Sequence, residues 1–136
     1  MKIRVLLVDD IPNVVKAISR RIANEFDVRL AYSGPEALAT MEQSEIDVVV
    51  TDLDMPRMTG WEFIGIASRM WPETAFVVLS GNVGLRDQEA EHREMVSRVL
   101  SKPSTIDQVR NAICEAYRGR ASEQTSDSAI QAAQAH

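Results

Sequence analysis

Short runs of apolar residues alternate along the chain with longer stretches in which apolar side chains recur every three or four positions. The runs predict five β-strands, at residues 3–8, 28–31, 46–51, 75–79 and 99–100. The third run combines Ile46, three consecutive valines and Thr51, and this density of β-branched residues is typical of a strand buried on both faces. We therefore expect this run near the centre of a parallel sheet.

Helix signals lie between these runs. Pro12 suits the first turn of a helix whose apolar stripe falls at positions 14, 17, 18 and 22. Ser33 and Glu36 have capping-box spacing, and residues 104–107 repeat it before a last amphipathic helix. Residues 85–95 are mostly charged and predict a fourth helix with little to pack against. Five alternations of strand and helix favour an α/β fold with helices on both faces of a parallel sheet.

Composition narrows the class of protein. The chain has 136 residues, 45% of them hydrophobic, which suits one domain with a real core. A net charge of -5 argues against nucleic-acid binding, which needs clustered basic residues. The single cysteine, Cys114, excludes an internal disulfide and fits a reducing compartment. No apolar run is long enough for a membrane span, so we expect a cytoplasmic domain without membrane contact.

The composition changes towards the end of the chain. From Gly119 onward Ala, Ser, Gln and Thr dominate, and Leu, Val and aromatic residues are missing. Such a stretch offers too little apolar surface to join a core. We expect residues 1–118 to form the domain, and residues 119–136 to be a disordered tail or the start of a linker.

Polar side chains stand at the carboxyl ends of the predicted strands. They comprise two acidic pairs, a hydroxyl and an ammonium: Asp9 and Asp10, Asp52 and Asp54, Ser80, and Lys102. In a parallel sheet these ends share one edge, where α/β proteins bind ligands. Crowded carboxylates repel unless a cation is present, and hard oxygen ligands suit Mg²⁺. Such a site fits a phosphoryl group that a carboxylate could attack, and Asp52 is the candidate.

These motifs, taken in order, resemble the receiver domains of bacterial two-component response regulators. The resemblance covers residues 1–118 and depends on four motifs: Val8-Asp9-Asp10, Asp52-Leu53-Asp54-Met55-Pro56 followed by Gly60, Ser80, and Lys102-Pro103. It implies a doubly wound, flavodoxin-like sheet with strand order 2-1-3-4-5. It also implies a signalling domain that assists its own phosphorylation and dephosphorylation, rather than an enzyme.

The resemblance assigns a role to each acidic residue. Asp52 would be the phosphoacceptor. Asp10 and Asp52 would bind Mg²⁺ together with the backbone carbonyl of Asp54. Asp9 would lie behind these ligands or reach the metal through a water molecule.

The remaining residues would act on the phosphoryl group. Ser80 would switch towards it and Lys102 would pair with it. Asp54 and Asn82 flank the path of a hydrolytic water, so we expect them to tune the lifetime of the acyl phosphate. The donor would be a sensor histidine kinase or a phosphotransfer protein. A downstream protein of unknown identity, and a second copy of the chain, are the other candidate partners.

The sequence departs from the family pattern mainly on the side expected to transmit the signal. Ser80 stands where Thr is commoner, and Gly81 follows it in place of the usual Ala. Val99 occupies a position at which many receivers carry Tyr or Phe, so the rotating aromatic side chain is missing. We expect phosphorylation to change the surface around the fourth predicted helix and the fifth strand, by ordering or shifting residues 81–97.

Two alternatives remain at this point. A phosphatase of the haloacid dehalogenase type also carries Asp-x-Asp after an apolar strand, as in Asp52-Leu53-Asp54. However, Met55 stands where Thr or Val is usual, and the Asp9-Asp10 pair precedes the motif instead of following it. The other alternative is a receiver fold that signals by docking without phosphorylation. The polar segment 85–95 and Val99 favour that reading, and the complete acceptor site argues against it.

Overall fold

The computed structural model describes residues 2–81, 93–102 and 104–135, with side chains given for residues 2–81, 94–102 and 104–120. Asn82 and most of the fourth predicted helix lie outside these residues. Of that helix the structure describes only the end, a single 3₁₀ turn at Arg93–Met95. None of the described helices is long and apolar enough to cross a membrane.

The described residues contain five strands in one parallel sheet. The strands are β1 (Ile3–Val8), β2 (Phe26–Ala31), β3 (Val48–Thr51), β4 (Ala75–Ser80) and β5 (Arg98–Ser101). Their order is β2-β1-β3-β4-β5, and every neighbouring pair is parallel. The predicted fold class and strand order are therefore confirmed. β3 and β4 are buried along their whole length, as expected for strands covered on both faces.

Four helices cover the two faces of the sheet. They are α1 (Pro12–Ile22), α2 (Gly34–Gln43), α3 (Gly60–Met70) and the C-terminal helix α4 (Ile106–Ala135). Leu6 and Val8 of β1 pack into one hydrophobic cluster with residues of α2 and α3. Val5 and Leu7 pack into the other, with residues of α1 and α4. Alternate side chains of β1 thus point to opposite layers, because successive strand residues face opposite sides.

The apolar stripe of α1 differs by one residue from the prediction. Val15 and Ile22 are buried, Ile18 is half-buried, and Ala17 is exposed. Positions 15, 18 and 22 have the same helical spacing as the predicted set, so periodicity alone cannot separate the two stripes. Docking against the sheet selects between them.

The helix starts also differ in detail. Ser33 Oγ accepts a hydrogen bond from the Glu36 backbone N–H at 3.2 Å, as predicted. Before α4 the cap is Thr105 rather than Ser104. Thr105 Oγ1 accepts from the Gln108 backbone N–H at 3.1 Å, and Gln108 Oε1 accepts from the Thr105 backbone N–H at 2.8 Å. Ser104 cannot serve as the cap because its hydroxyl donates to the Ser101 carbonyl at 2.5 Å.

The C-terminal helix extends beyond the expected end of the domain. Its backbone is helical to Ala135, whereas the composition from Gly119 onward favours a disordered tail or a linker. Ala, Gln, Glu and Arg are strong helix formers, and no proline follows Pro103, so the helix can propagate past its packed segment. The domain boundary at residue 118 stays a prediction.

Candidate functional site

The predicted polar residues meet at the carboxyl edge of the sheet. Val8 lies opposite Thr51, and Ser80 lies opposite Ser101, so the residues that follow these strands end at the same level. Two backbone hydrogen bonds extend the sheet into the site. Asp52 N–H donates to the Val8 carbonyl at 3.0 Å, and Lys102 N–H donates to the Ser80 carbonyl at 3.1 Å. Neighbouring strands thus hold the site from both sides of Asp52.

Lys102 joins two of the carboxylates. Its Nζ lies 2.7 Å from Asp9 Oδ2 and 3.6 Å from Asp52 Oδ2, so the hydrogen bond goes to Asp9. The other oxygen of Asp9, Oδ1, accepts the Ile11 backbone N–H at 3.0 Å. Both oxygens of Asp9 are therefore engaged within the protein. Asp52 keeps an oxygen that faces the ammonium without a close contact.

Three carboxylates form a group that could hold a metal ion. Asp9, Asp10 and Asp52 each offer an oxygen, and these oxygens lie within 4.8 Å of one another. Asp9 and Asp52 are buried, and Asp10 is half-buried at the rim. Hard oxygen donors at a partly open rim fit Mg²⁺, which takes one or two carboxylates and keeps several waters. The side chains of this chain therefore fit the cation expected from the sequence.

The electrostatics of the group favour a bound cation. Burial raises the pKa of the Asp52 carboxyl, and the charge of Asp9 adds to that rise, while Lys102 opposes it. Burial and the charge of Asp9 also raise the pKa of Asp10. For Lys102, burial lowers the pKa, but the hydrogen bond to Asp9 and the charge of Asp52 more than compensate and raise it. One lysine thus leaves the three carboxylates with excess negative charge.

The backbone around Asp52 is fixed by its neighbours. The Leu53 N–H donates to Asp52 Oδ1 at 2.9 Å, and Thr51 Oγ1 donates to the Asp52 carbonyl at 2.9 Å. Gly60, the first residue of α3, donates its N–H to the Leu53 carbonyl at 2.9 Å. A Cβ at Gly60 would lie 2.2 Å from the Asp52 carbonyl oxygen, so only glycine permits this approach.

Sequence reasoning missed one support of this approach. Thr59 and Glu62 form a complete capping box at the start of α3, with Thr59 Oγ1 accepting from the Glu62 N–H at 3.2 Å. The Thr-x-x-Glu spacing was visible in the sequence and could have identified it. The capping box fixes where α3 begins, and therefore where Gly60 meets Asp52.

The other predicted site residues are placed as follows. Ser80 is buried at the end of β4. Asp54 is exposed in the loop after β3. Asn82 lies beyond the part of the chain that the structure describes. A parallel doubly wound sheet with an acidic, lysine-paired site at its carboxyl edge is the architecture of a phosphoryl-binding signalling domain.

Comparison with known proteins agrees with this class. The sequence model of the family described as response regulator receiver domain matches residues 5–114. The transcriptional regulatory protein GlrR of Escherichia coli K12 is 30% identical over 112 residues, which are 82% of this chain and 25% of that protein. The chain spans about a quarter of the length of such curated relatives.

Solved structures give the same result. A structure described as adenylate cyclase from Rhodopirellula baltica has 30% sequence identity and a TM-score of 0.86, covering 96% of this chain and 98% of that one. The response regulator TrrA of Thermotoga maritima, solved with Mg²⁺ and BeF, has 24% identity and a TM-score of 0.72 over 82% of this chain and 95% of that one. This second likeness concerns the fold alone.

The chain belongs to the response regulator receiver domain family. It is a receiver domain of the two-component signalling type, and the resemblance stated from its motifs is confirmed. Family membership, together with an acidic pair on the first strand, favours a signalling domain over the haloacid-dehalogenase-type alternative.

Proposed function

We propose that Asp52 is the phosphoacceptor of this receiver and that its phosphorylation requires Mg²⁺. The observation that carries the proposal is the state of the Asp52 carboxylate. One oxygen accepts the Leu53 N–H, and the other faces Lys102 Nζ at 3.6 Å without a hydrogen bond. A carboxylate that is oriented but not neutralised by its partner suits nucleophilic attack on phosphorus.

The reaction transfers a phosphoryl group from the phosphohistidine of a sensor kinase or a phosphotransfer protein. A carboxylate oxygen of Asp52 attacks the phosphorus, the phosphorus–nitrogen bond breaks, and the imidazole leaves with the bonding electron pair. The product is an acyl phosphate. Lys102 offsets the charge of the transferred group, and the Ser80 hydroxyl donates a hydrogen bond to it.

Asp10, Asp52 and the backbone carbonyl of Asp54 are the proposed ligands of Mg²⁺. When bound, the ion neutralises charge on the phosphoryl oxygens. Asp9 has a different part: its hydrogen bond to Lys102 orients the ammonium towards the acceptor, and it reaches the metal at most through water. Asp54 and Asn82 are proposed to tune the lifetime of the acyl phosphate.

The output is proposed to be a changed surface around residues 81–97 and β5. Val99 on β5 is half-buried and has no ring that could rotate between two positions. A loop rearrangement after Ser80 therefore replaces an aromatic switch in this proposal. It requires only that the phosphoryl group contacts Ser80 better in one loop state than in the other.

Intact-mass measurement with acetyl phosphate and Mg²⁺ tests the assignment. The wild-type chain should gain one phosphoryl group, roughly 80 Da. Asp52→Asn should gain none, because an amide is not a nucleophile here. Asp27→Asn, which changes an exposed aspartate on β2, is the matched control and should be labelled like the wild type. Equal labelling of wild type and Asp52→Asn would refute the assignment, and turnover of a phosphate monoester would restore the phosphatase alternative.

A further inference from the structure

The loop after the acceptor contains a strained turn at Arg57. Its φ is 71°, and it is the one non-glycine residue with a positive φ among the residues described. The Met58 N–H donates to the Pro56 carbonyl at 2.8 Å, two residues back. This hydrogen bond and this φ define the positive-φ form of the γ-turn, which is rare and strained. The side chain of Arg57 is exposed, so the strain is a property of the backbone.

Both ends of this loop are bonded at the acceptor. At one end the Leu53 N–H donates to the Asp52 carboxylate at 2.9 Å. At the other end the Gly60 N–H donates to the Leu53 carbonyl at 2.9 Å, in contact with the Asp52 backbone. Residues 54–59 therefore leave and return at the same place, beside Asp52.

The middle of the loop is held as well. A Cβ at Gly34 would lie 2.5 Å from Met58 Sδ, so the Met58 side chain fills the space that this glycine leaves open. Met58 also packs against the hydrophobic cluster of α2 and α3. The turn cannot relax by moving Met58 without losing this packing. Strain of this kind persists only where the surroundings over-determine the backbone, and such places cluster at functional sites.

We propose that the turn at Arg57 is a positioning element of the phosphoryl site. By shortening the loop and keeping it rigid, the turn fixes the place of the Asp54 backbone carbonyl, the third proposed ligand of Mg²⁺. Arg57 acts through its backbone and touches neither metal nor phosphoryl group. The inference rests on the function proposed above, because it concerns the affinity of that site for Mg²⁺.

A turn without this role would behave differently on substitution. If the strain were only a structural burden, glycine at position 57 would relieve it and leave Mg²⁺ binding unchanged. If the strain positions the loop, glycine stabilises the fold but frees the loop, so Mg²⁺ binding weakens. Opposite movements of stability and affinity therefore identify a positioning role.

The experiment measures the urea midpoint without metal and the Mg²⁺ dissociation constant by calorimetry, on the full chain. Arg57→Gly should have a higher midpoint and a Kd about fivefold higher, the scale expected when one backbone residue is freed. Arg57→Ala removes the same side chain but keeps the constraint on φ, so its Kd should stay within about twofold of wild type.

Gly65→Ala is the matched stability control. Gly65 lies within α3, and a Cβ there would meet nothing within 4 Å, so this variant should also have a higher midpoint. Its Kd should equal that of the wild type, which would show that added stability does not itself weaken Mg²⁺ binding.

Three results would overturn the inference: a wild-type Kd in Arg57→Gly, a lower midpoint in that variant, or equal weakening in Arg57→Ala. Failure of the proposed function has a different signature. It would appear as phosphoryl uptake by Asp52→Asn, or as a wild-type chain that does not bind Mg²⁺ at all.

Discussion

Strand β3 has a buried aspartate at each end, and the two behave in opposite ways. Asp47 precedes the strand and is 5% exposed, and Asp52 follows it and is 7% exposed. Burial is therefore almost the same for both carboxyls. Nevertheless the pKa of Asp47 is lowered and that of Asp52 is raised.

Asp47 is surrounded by arginine. Its Oδ2 accepts the Arg4 backbone N–H at 2.9 Å and Nε at 3.0 Å, and its Oδ1 accepts Nη2 at 2.9 Å. Nη1 of Arg120 on α4 adds a contact at 3.3 Å. Burial by itself would raise the pKa of Asp47, but the hydrogen bonds and charge of Arg4 lower it more. This carboxylate is satisfied and joins β1, β3 and α4.

Asp52 has the opposite balance. Its one nearby cation, among the residues described, is Lys102, which hydrogen-bonds to Asp9 instead. Burial and the neighbouring negative charge then dominate and raise its pKa. The comparison teaches that the placement of partners, and not burial, separates a structural carboxylate from one left free for metal and phosphorus.

The largest expected effect is at the arginine-paired end. Asp47→Asn should lower the free energy of unfolding by about 2–3 kcal/mol, because Arg4 loses charged hydrogen bonds that are partly buried. Urea unfolding monitored by circular dichroism measures the change. Glu45→Gln is the control: its side chain is 84% exposed and pairs with the same Arg4, so about 0.5 kcal/mol or less is expected. Equal losses in both variants would contradict the interpretation.

Metal should act only at the other end of the strand. At a tenfold excess over its Kd, Mg²⁺ should raise the free energy of unfolding of the wild type by about 1.4 kcal/mol. The gain should persist in Asp47→Asn and disappear in Asp52→Asn. Asp10→Ala should weaken Mg²⁺ binding more than Asp9→Ala, because Asp9 is already engaged by Lys102. The reverse order would exchange the roles of these two acids.

Asp52→Asn without metal should have a smaller effect of opposite sign. Removing a buried charge that repels Asp9 should raise the free energy of unfolding by about 1 kcal/mol. The same urea experiment, with chelator in place of Mg²⁺, measures it. A destabilisation comparable to that of Asp47→Asn would show that Lys102 satisfies Asp52 as fully as Arg4 satisfies Asp47.

The finest distinction is in the pH dependence. An unfolded aspartate titrates near pH 3.9. The stabilisation by Asp47, whose folded pKa is lowered, is complete above that pH and is lost as the pH falls through the folded pKa. The destabilisation by Asp52, whose folded pKa is raised, is complete above the folded pKa and is gone below about pH 3.9.

Lowering the pH should therefore bring Asp52→Asn level with the wild type first, and Asp47→Asn only at more acidic pH. Urea midpoints of the three proteins from pH 7 to pH 3 measure both approaches. If the two differences disappear over the same pH range, the two carboxyls have equivalent environments and the comparison fails.

The sequence by itself determined the elements and the edge at which the site lies. Apolar runs and helical periodicity are local patterns, so they identified the strands that the structure describes and α1 to α3. Alternating strand and helix then implies parallel strands, whose carboxyl ends share an edge. That is why Asp9, Asp52, Ser80 and Lys102 could be brought together before any coordinates were known.

Only the tertiary structure decided how partners are distributed among residues distant in the chain. It placed Arg4 on Asp47, gave the ammonium of Lys102 to Asp9, and brought Gly60 against the backbone of Asp52. The burial of Val15 rather than Ala17 was decided in the same way. The physical reason is that hydrogen bonds and packing act over a few ångströms, and such distances between remote residues exist only once the helices have docked on the sheet.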